Sequence, residues 1–136
     1  MASIFSKIVA GEIPCYKIAE TENCLAFLDV FPLVHGHVLV IPKKEVDYIF
    51  DLEPQLFTEL HLFSRNVAKA IKTVVECRRI GVAVIGLEVP HAHIHLVPMN
   101  TIGDINFSRE KLKPAQQELE VMSGKIRAAY EQMFSA

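Results

Sequence analysis

The order of apolar and polar positions along the chain predicts a series of short elements with clear boundaries. In some segments apolar residues recur at helical spacing, whereas others are short β-branched runs bounded by Gly, Pro or a polar turn. In chain order the pattern predicts a short helix, three strands, a long helix, two strands and a terminal helix, at Ser3–Ala10, Lys17–Glu20, Cys24–Asp29, His37–Pro42, Pro54 to about Cys77, Gly81–Ile85, Ala92–Val97 and from Pro114 onward.

The two longer predicted helices are amphipathic. The first begins at Pro54 and carries its apolar residues at helical spacing, at Leu56, Leu60, Phe63, Val67, Ile71 and Val74. The terminal helix has a second apolar stripe, at Leu119, Met122, Ile126, Ala129, Tyr130 and Met133. This stripe needs a partner surface, either on this subunit or on a second one.

The order of elements indicates an α+β domain in which an antiparallel sheet is covered by a helix on one face. A length of 136 residues predicts a single domain over residues 1–136.

Charge and cysteine content narrow the class of protein. The 14 Lys and Arg residues against 16 Asp and Glu residues give a formal net charge of −2, which argues against a protein that coats nucleic acid but leaves room for a pocket for one nucleotide. Apolar runs are shorter than the roughly 18 residues of a membrane span, and Lys7 interrupts the first apolar stretch, so no signal peptide is predicted. The three cysteines form no C-x-x-C pair and are expected to be free thiols. We therefore expect a cytoplasmic protein without a nucleic acid or membrane partner.

Half of the six histidines lie within five residues, at His91, His93 and His95. Because side chains alternate along a strand, the three imidazoles are predicted to share one face, about 6–7 Å apart, with the apolar residues between them facing the core. The residues alone leave three interpretations open: a zinc site, a structural cluster, and a catalytic group in which one neutral imidazole attacks phosphorus. Catalysis is favoured, because each buried ring has two nitrogens that need partners and three adjacent imidazoles pack poorly.

The stretch His91–Val97 resembles the signature of the histidine triad (HIT) family, H-φ-H-φ-H-φ-φ, with Ala92 as a small first φ. Further blocks are similar to the family's opening helix with its I-P turn, its second strand and its H-x-L-V-I-P-K strand, in the same order, here Ser3–Val9 with Glu12–Pro14, Cys24–Asp29 and Gly36–Lys44. The resemblance covers residues 3–99 and is typical of the Hint-like branch of phosphoramidases and nucleotidyl hydrolases. Residues 100–136 form an extension that we expect to pack near a dimer interface.

The resemblance implies a five-stranded antiparallel sheet with the long helix on one face and an added C-terminal helix. It also implies a homodimer that binds a purine nucleotide and, without a cofactor, cleaves a nucleoside 5′-monophosphate from a leaving group through a covalent nucleotidyl-histidine. His93 matches the nucleophile, and His95 matches a phosphate-contacting partner. His91 would orient the group through hydrogen bonds, and His37 matches a further histidine near the α-phosphate.

The resemblance also implies where the nucleotide binds. Asp29 matches the carboxylate that accepts hydrogen bonds from the ribose hydroxyls, a charge-assisted pairing. The walls of the base pocket are matched by apolar residues, at Ile4, Phe5, Ile8, Phe27 and Val30. The same residue types would also be expected if these positions formed only core.

Two departures from the family pattern change these expectations. The loop before the triad has neither the usual Asn nor the usual Gln: Leu87 replaces the glutamine, Gly86 is expected to keep a backbone N–H at the phosphate, and Glu88 stands where some members place a proton-donating hydroxyl. This leaves an alternative function open, a catalytically weak nucleotide-binding sensor or scaffold. Ser3 and Ser6 stand where some bacterial members carry C-x-x-C and a structural zinc, so no metal is predicted.

Overall fold

The computed structural model describes residues 2–134, so the two ends of the predicted domain, residue 1 and residues 135 and 136, lie outside the described residues. The helices and strands are α1 (Ile4–Val9), β1 (Lys17–Glu20), β2 (Cys24–Leu28), β3 (Val38–Pro42), α2 (Pro54–Val74), β4 (Arg79–Ala83), β5 (Ile94–Met99) and α3 (Gln116–Phe134). Single 3₁₀ turns lie at Ile49–Asp51 and Ile102–Ile105. None of the helices within residues 2–134 is both long and apolar enough to cross a bilayer.

The strands form one five-stranded sheet in the order β1-β2-β3-β5-β4, and every neighbouring pair is antiparallel. This confirms the predicted fold class. The last two strands are each displaced by two residues from the prediction. The predicted last strand ends at Val97, yet Pro98 pairs with Ile80 of β4. Met99 O accepts from Arg78 N on the β4 side, so the Pro98 nitrogen points the other way, where the pairing with β3 has already ended and no N–H is needed.

The main core lies between the sheet and the two long helices. Helix α2 begins at Pro54 as predicted and buries Leu60, Phe63, Val67 and Ile71 against alternate residues of the central strands. Helix α3 packs against α2 and β1 and buries Ile126 completely. Most of the predicted apolar stripe of α3 therefore has its partner surface on this subunit, whereas Met133 is 44% exposed.

The opposite face of the sheet carries a smaller apolar cluster beneath α1, formed by Phe5, Leu25, Phe27, Leu39 and Ile41. Ser3 is the N-cap of α1, because its side chain accepts a hydrogen bond from Ser6 N. The helix ends before Gly11, whose φ of +80° is a conformation that glycine adopts without strain. This second face holds the histidines.

Candidate active site

Four histidines are buried together at the centre of the sheet, His37 just before β3 and His91, His93 and His95 around the start of β5. The predicted alternation is confirmed, since Ala92, Ile94 and Leu96 all belong to the main core. Only the third triad histidine lies within the strand, and the rings of His93 and His95 are 4.9 Å apart, closer than predicted. His91 and His93 lie in the segment before the strand, where the carbonyl group of His91 faces the ring of His93.

His93 has a fixed tautomer. Its Nδ1 lies 2.7 Å from the carbonyl oxygen of His91; because a carbonyl only accepts, Nδ1 carries the proton and Nε2 keeps its lone pair. Burial lowers the pKa of His93, so the ring is neutral near pH 7. No buried side-chain nitrogen within residues 2–134 lacks a hydrogen-bond partner, so the free Nε2 is open to the surface of the site. Nε2 of His93 therefore presents an unprotonated lone pair to the site.

A loop amide sets the tautomers of His37 and His95. Leu33 N donates to His37 Nδ1 at 3.1 Å, so the proton of the neutral ring sits on Nε2, which lies 3.0 Å from His95 Nδ1. His95 therefore accepts at Nδ1 and presents its own Nε2–H as a donor. Burial lowers the pKa of His37 to about 4, and burial followed by His37 lowers that of His95 to about 3.

His91 is held by a network that reaches helix α1. Its Nε2 donates to Pro42 O at 2.8 Å, so Nδ1 accepts from the Ser3 hydroxyl, also at 2.8 Å. Glu45 accepts from Ser3 N at 2.6 Å and from Ser6 Oγ at 2.7 Å, which lower its pKa to about 2. Sequence reasoning missed Glu45, because nothing local marks a residue 42 positions away as a partner of the helix.

The hydrogen bonds of Ser3 and Ser6 also bear on whether a structural zinc ion fits at this position. The hydroxyls of Ser3 and Ser6 are not zinc ligands of the usual thiolate, imidazole or carboxylate kind. Both hydroxyls are already engaged with Glu45 or His91. The residues present at this position therefore do not fit a structural zinc.

A second possible metal cluster joins Asp29, His37 and His95, whose ligand atoms lie within 4.8 Å of one another. Coordination needs a lone pair on His37 Nε2, but the Leu33 amide holds the ring in the tautomer that protonates this nitrogen. Asp29 Oδ2 is 3.8 Å from the same nitrogen. The donor set fits a hydrogen-bonded group better than a metal site.

The predicted nucleotide-binding residues divide into buried and exposed groups. Phe5 and Phe27 are buried and meet edge to face with ring centroids 5.6 Å apart. Phe5 also meets the ring of His93 at 5.1 Å, so it is core and site wall at once. Ile8 packs against this cluster, whereas Ile4 and Val30 are exposed.

Asp29 follows the end of β2 and lies beside the histidines. Its Oδ1 accepts from Phe31 N at 2.9 Å, and burial raises the pKa of its carboxyl. The structure thus places the Asp29 carboxylate beside the imidazole pair, with Oδ2 3.8 Å from His37 Nε2, and its contact with the ribose hydroxyls stays a prediction.

A cavity of about 370 Å³ opens beside His93. Gly86 lines it with a φ of +74°, and Glu88 is exposed but close enough for its charge to raise the pKa of His93 against the effect of burial. The other lining residues are mostly apolar or aromatic, among them Tyr48, Phe50, Phe57, Val84, Ile85 and Leu87. Sequence reasoning did not connect the aromatic residues with the site, because Tyr48 and Phe50 come from the segment before α2 and Phe57 from its first turn.

Residues 106–112, here called the strap, lie over the imidazole pair. The Phe107 ring is 4.6 Å from that of His95 and 6.2 Å from that of His37. Leu112 N donates to Pro32 O at 2.9 Å, and the Arg109 guanidinium donates to Leu33 O. The strap lies outside the blocks that resemble the family, so sequence reasoning gave it no part in the site.

Comparison with known proteins agrees with this geometry. The HIT domain model matches residues 10–102. Adenosine 5′-monophosphoramidase HNT1 of Saccharomyces cerevisiae is 37% identical over 99 residues, which are 71% of this chain and 62% of that protein.

Solved structures extend the likeness over nearly the whole chain. A Zn-bound histidine triad family protein from Mycobacterium smegmatis has a TM-score of 0.84 at 28% identity, covering 99% of this chain and 97% of that one. A hypothetical histidine triad nucleotide-binding protein from Sulfolobus tokodaii has a TM-score of 0.81 at 25% identity, covering 95% and 92%. With its buried histidine group, five-stranded sheet and matching domain model, this chain belongs to the HIT family.

Proposed function

We propose that this protein is a purine nucleotide-binding hydrolase or transferase that cleaves a nucleoside 5′-monophosphate from a leaving group X. The observation that carries the proposal is the hydrogen bond from His93 Nδ1 to His91 O at 2.7 Å, which leaves His93 Nε2 free as a nucleophile. The yeast relative is named as an adenosine 5′-monophosphoramidase, which supports the same reaction class.

The proposed reaction has two displacements at the α-phosphorus. His93 Nε2 forms a bond to phosphorus, and X leaves with the electron pair of the P–X bond. Water then attacks the nucleotidyl-histidine, the P–N bond breaks, and the monophosphate is released with a free imidazole. In this scheme the His95 Nε2–H, His37 behind it and the Gly86 amide stabilise charge on the phosphate oxygens, while His91 positions the nucleophile.

Binding of the nucleoside part is proposed at Asp29 and the apolar walls. The Asp29 carboxylate would accept from the ribose hydroxyls. Phe5, which meets the rings of both His93 and Phe27, would form the inner wall of the base pocket together with Phe27, and Ile8 would extend it. Ile4 and Val30 are exposed and suit an outer rim.

We also propose a homodimer formed by a second copy of this chain. Strand β4 is an edge of the sheet and exposes Val82 by 61%, while the following loop exposes Leu87 by 88% and α2 exposes Leu62 by 58%. An edge strand with exposed apolar side chains favours pairing with another chain. Val82→Lys should yield a monomer by light scattering, whereas Val121→Lys should not, because Val121 is an exposed residue of α3, which packs against the opposite edge strand β1; a wild-type monomer would contradict the proposal. A cytoplasmic location is proposed as well, supported by three free cysteines within the described residues.

A specific observation favours the second candidate function, a nucleotide-binding sensor or scaffold with weak turnover. The loop before the triad presents the apolar side chains of Val84, Ile85 and Leu87 at the cavity beside His93. These side chains donate no hydrogen bond to a departing group, so the leaving-group step has less support than the attack.

One experiment separates the two. The protein, without added metal, is incubated with adenosine phosphoramidate, adenylyl-lysine and diadenosine tetraphosphate, and AMP release is quantified beside His93→Ala. Release that disappears in the variant supports the hydrolase and identifies the class of X. No release from any substrate, with AMP binding retained in calorimetry, favours the sensor.

A further inference from the structure

The site holds little positive charge of its own. His37 and His95 are neutral near pH 7, since burial brings their pKa values to about 4 and about 3. Asp29 adds a negative charge next to them when it is ionised. A nucleotide phosphate carries at least one negative charge at this pH, and hydrogen bonds to charged groups are strongest when the partner is also ionised. A cation at this position would therefore matter for binding.

The strap is attached to the loop that organises the imidazole pair. Its Arg109 and Leu112 bind the carbonyl groups of Leu33 and Pro32, and the amide of the same Leu33 fixes the tautomer of His37. A displacement of either segment would move the other. The strap thus has a defined position relative to the histidines.

Lys111 is the cation that the strap brings to this place. Its side chain is half-buried, and its Nζ donates to Phe107 O at 2.8 Å, with Arg109 O at 3.5 Å. No ion pair joins Lys111 to a carboxylate within residues 2–134. An ammonium held only by backbone carbonyls can exchange one of them for an anionic oxygen at a net gain.

The charge of Lys111 reaches the site. Burial is the main cause that lowers the pKa of His37, and the charge of Lys111 is the next. The same charge also lowers the pKa of Asp29 and of His95, in each case as a smaller effect than burial. The geometry agrees, because Lys111 Nζ is hydrogen-bonded to the backbone of Phe107, whose ring lies 4.6 Å from that of His95.

On the basis of the nucleotide binding proposed above, we infer that Lys111 is a phosphate-contacting residue that binds a nonbridging oxygen of the nucleotide 5′-phosphate. The strap then supplies, from the C-terminal extension, a polar contact that Leu87 cannot make in the loop before the triad.

The test compares AMP with adenosine, which lacks the phosphate. Calorimetry measures the affinity of the full-length wild type, Lys111→Gln and Lys113→Gln for both compounds. Lys113 is exposed and lies two positions away, so its variant makes the same chemical change off the site. Lys111→Gln should weaken AMP binding about tenfold to a hundredfold without changing adenosine binding, and Lys113→Gln should change neither. Lys111→Arg, which keeps the charge, should retain most of the AMP affinity.

Each other result overturns the inference in a recognisable way. Unchanged AMP affinity in Lys111→Gln excludes the phosphate contact. Equal weakening of AMP and adenosine shows that the variant displaces the strap and that Lys111 is structural. A wild type that binds neither compound contradicts the proposed function itself, and the role of Lys111 falls with it.

Discussion

Ser3 Oγ lies 2.8 Å from Nδ1 of His91, a residue 88 positions further along the chain. The same oxygen accepts from Ser6 N and so caps helix α1. Because His91 in turn offers its carbonyl to His93, the start of the first helix is connected to the candidate nucleophile through two hydrogen bonds. One hydroxyl thus serves both folding and the geometry of the site.

Ser3→Ala should reduce both stability and activity. It removes an N-cap, worth about 1 kcal/mol, and leaves the buried Nδ1 of His91 with only a contact to Ser6 Oγ at 3.4 Å, which costs about 1–2 kcal/mol. We expect the free energy of unfolding in urea to fall by about 2–3 kcal/mol and AMP release to slow. Ser6→Ala is the matched control, because the Ser6 hydroxyl donates its proton to Glu45 at 2.7 Å and lies farther from His91 Nδ1, at 3.4 Å; equal losses in the two variants would contradict the double role of Ser3.

Stability should decrease in mild acid. In the unfolded chain histidine takes up a proton below pH 6.5, whereas His37 in the folded protein resists protonation down to about pH 4. The free energy of unfolding should therefore fall as the pH drops through this window, by about 3 kcal/mol for His37 at 1.36 kcal/mol per pKa unit. Urea unfolding between pH 7.5 and 4.5 measures it. The carboxyl of Glu45, with a pKa of about 2, loses its contribution below that range, so a flat profile would mean that the histidines are not buried as neutral rings.

Two glycine-to-alanine substitutions should change the stability of the protein in opposite directions. Gly86 has a φ of +74°, and Gly124 lies within helix α3; an added Cβ meets no atom within 4 Å at either position. Gly86→Ala should destabilise by about 1–2 kcal/mol through backbone strain alone, and Gly124→Ala should stabilise by about 1 kcal/mol through helix propensity. Thermal unfolding of the two variants measures both effects, and a stabilising Gly86→Ala would show that the loop does not hold the left-handed conformation.

Helix α3 should unfold together with the rest of the domain. Ile126 is fully buried in the main core, whereas Val121 on the same helix is 51% exposed. Ile126→Ala should cost about 2–5 kcal/mol, and Val121→Ala should cost less than about 0.5 kcal/mol. Similar small effects at both positions in urea unfolding would indicate that α3 is a loosely attached appendage.

Local sequence patterns were sufficient for the elements and for the core-facing side of the triad. Pro54 begins α2 as its position predicts, and Ala92 and Ile94 face the core between the histidines. The predicted strand boundaries were wrong where a residue distant in sequence decides where the strand ends. Pro98 stays in β5 because β3 no longer pairs there, which no local pattern reveals.

The parts of the site that sequence reasoning missed are those assembled from distant segments. Glu45 and Phe107 carry no motif of their own, and each gains its place from tertiary packing, Glu45 against α1 and Phe107 on the ring of His95. A charged residue in a polar segment is usually a solvated one, so Lys111 gave no signal either. Such residues become visible only when the fold brings the segments together.

The orientation of the imidazoles is encoded largely in the main chain. The carbonyl of Pro42, the carbonyl of His91 and the amide of Leu33 decide which ring nitrogens carry protons. Exchange of the side chains at positions 33 and 42 would leave these groups in place, provided that the backbone keeps its path and position 33 is not proline. The tautomers of the imidazoles are therefore tolerant of substitution at these two positions but sensitive to insertions and deletions, which shift the peptide groups that fix them.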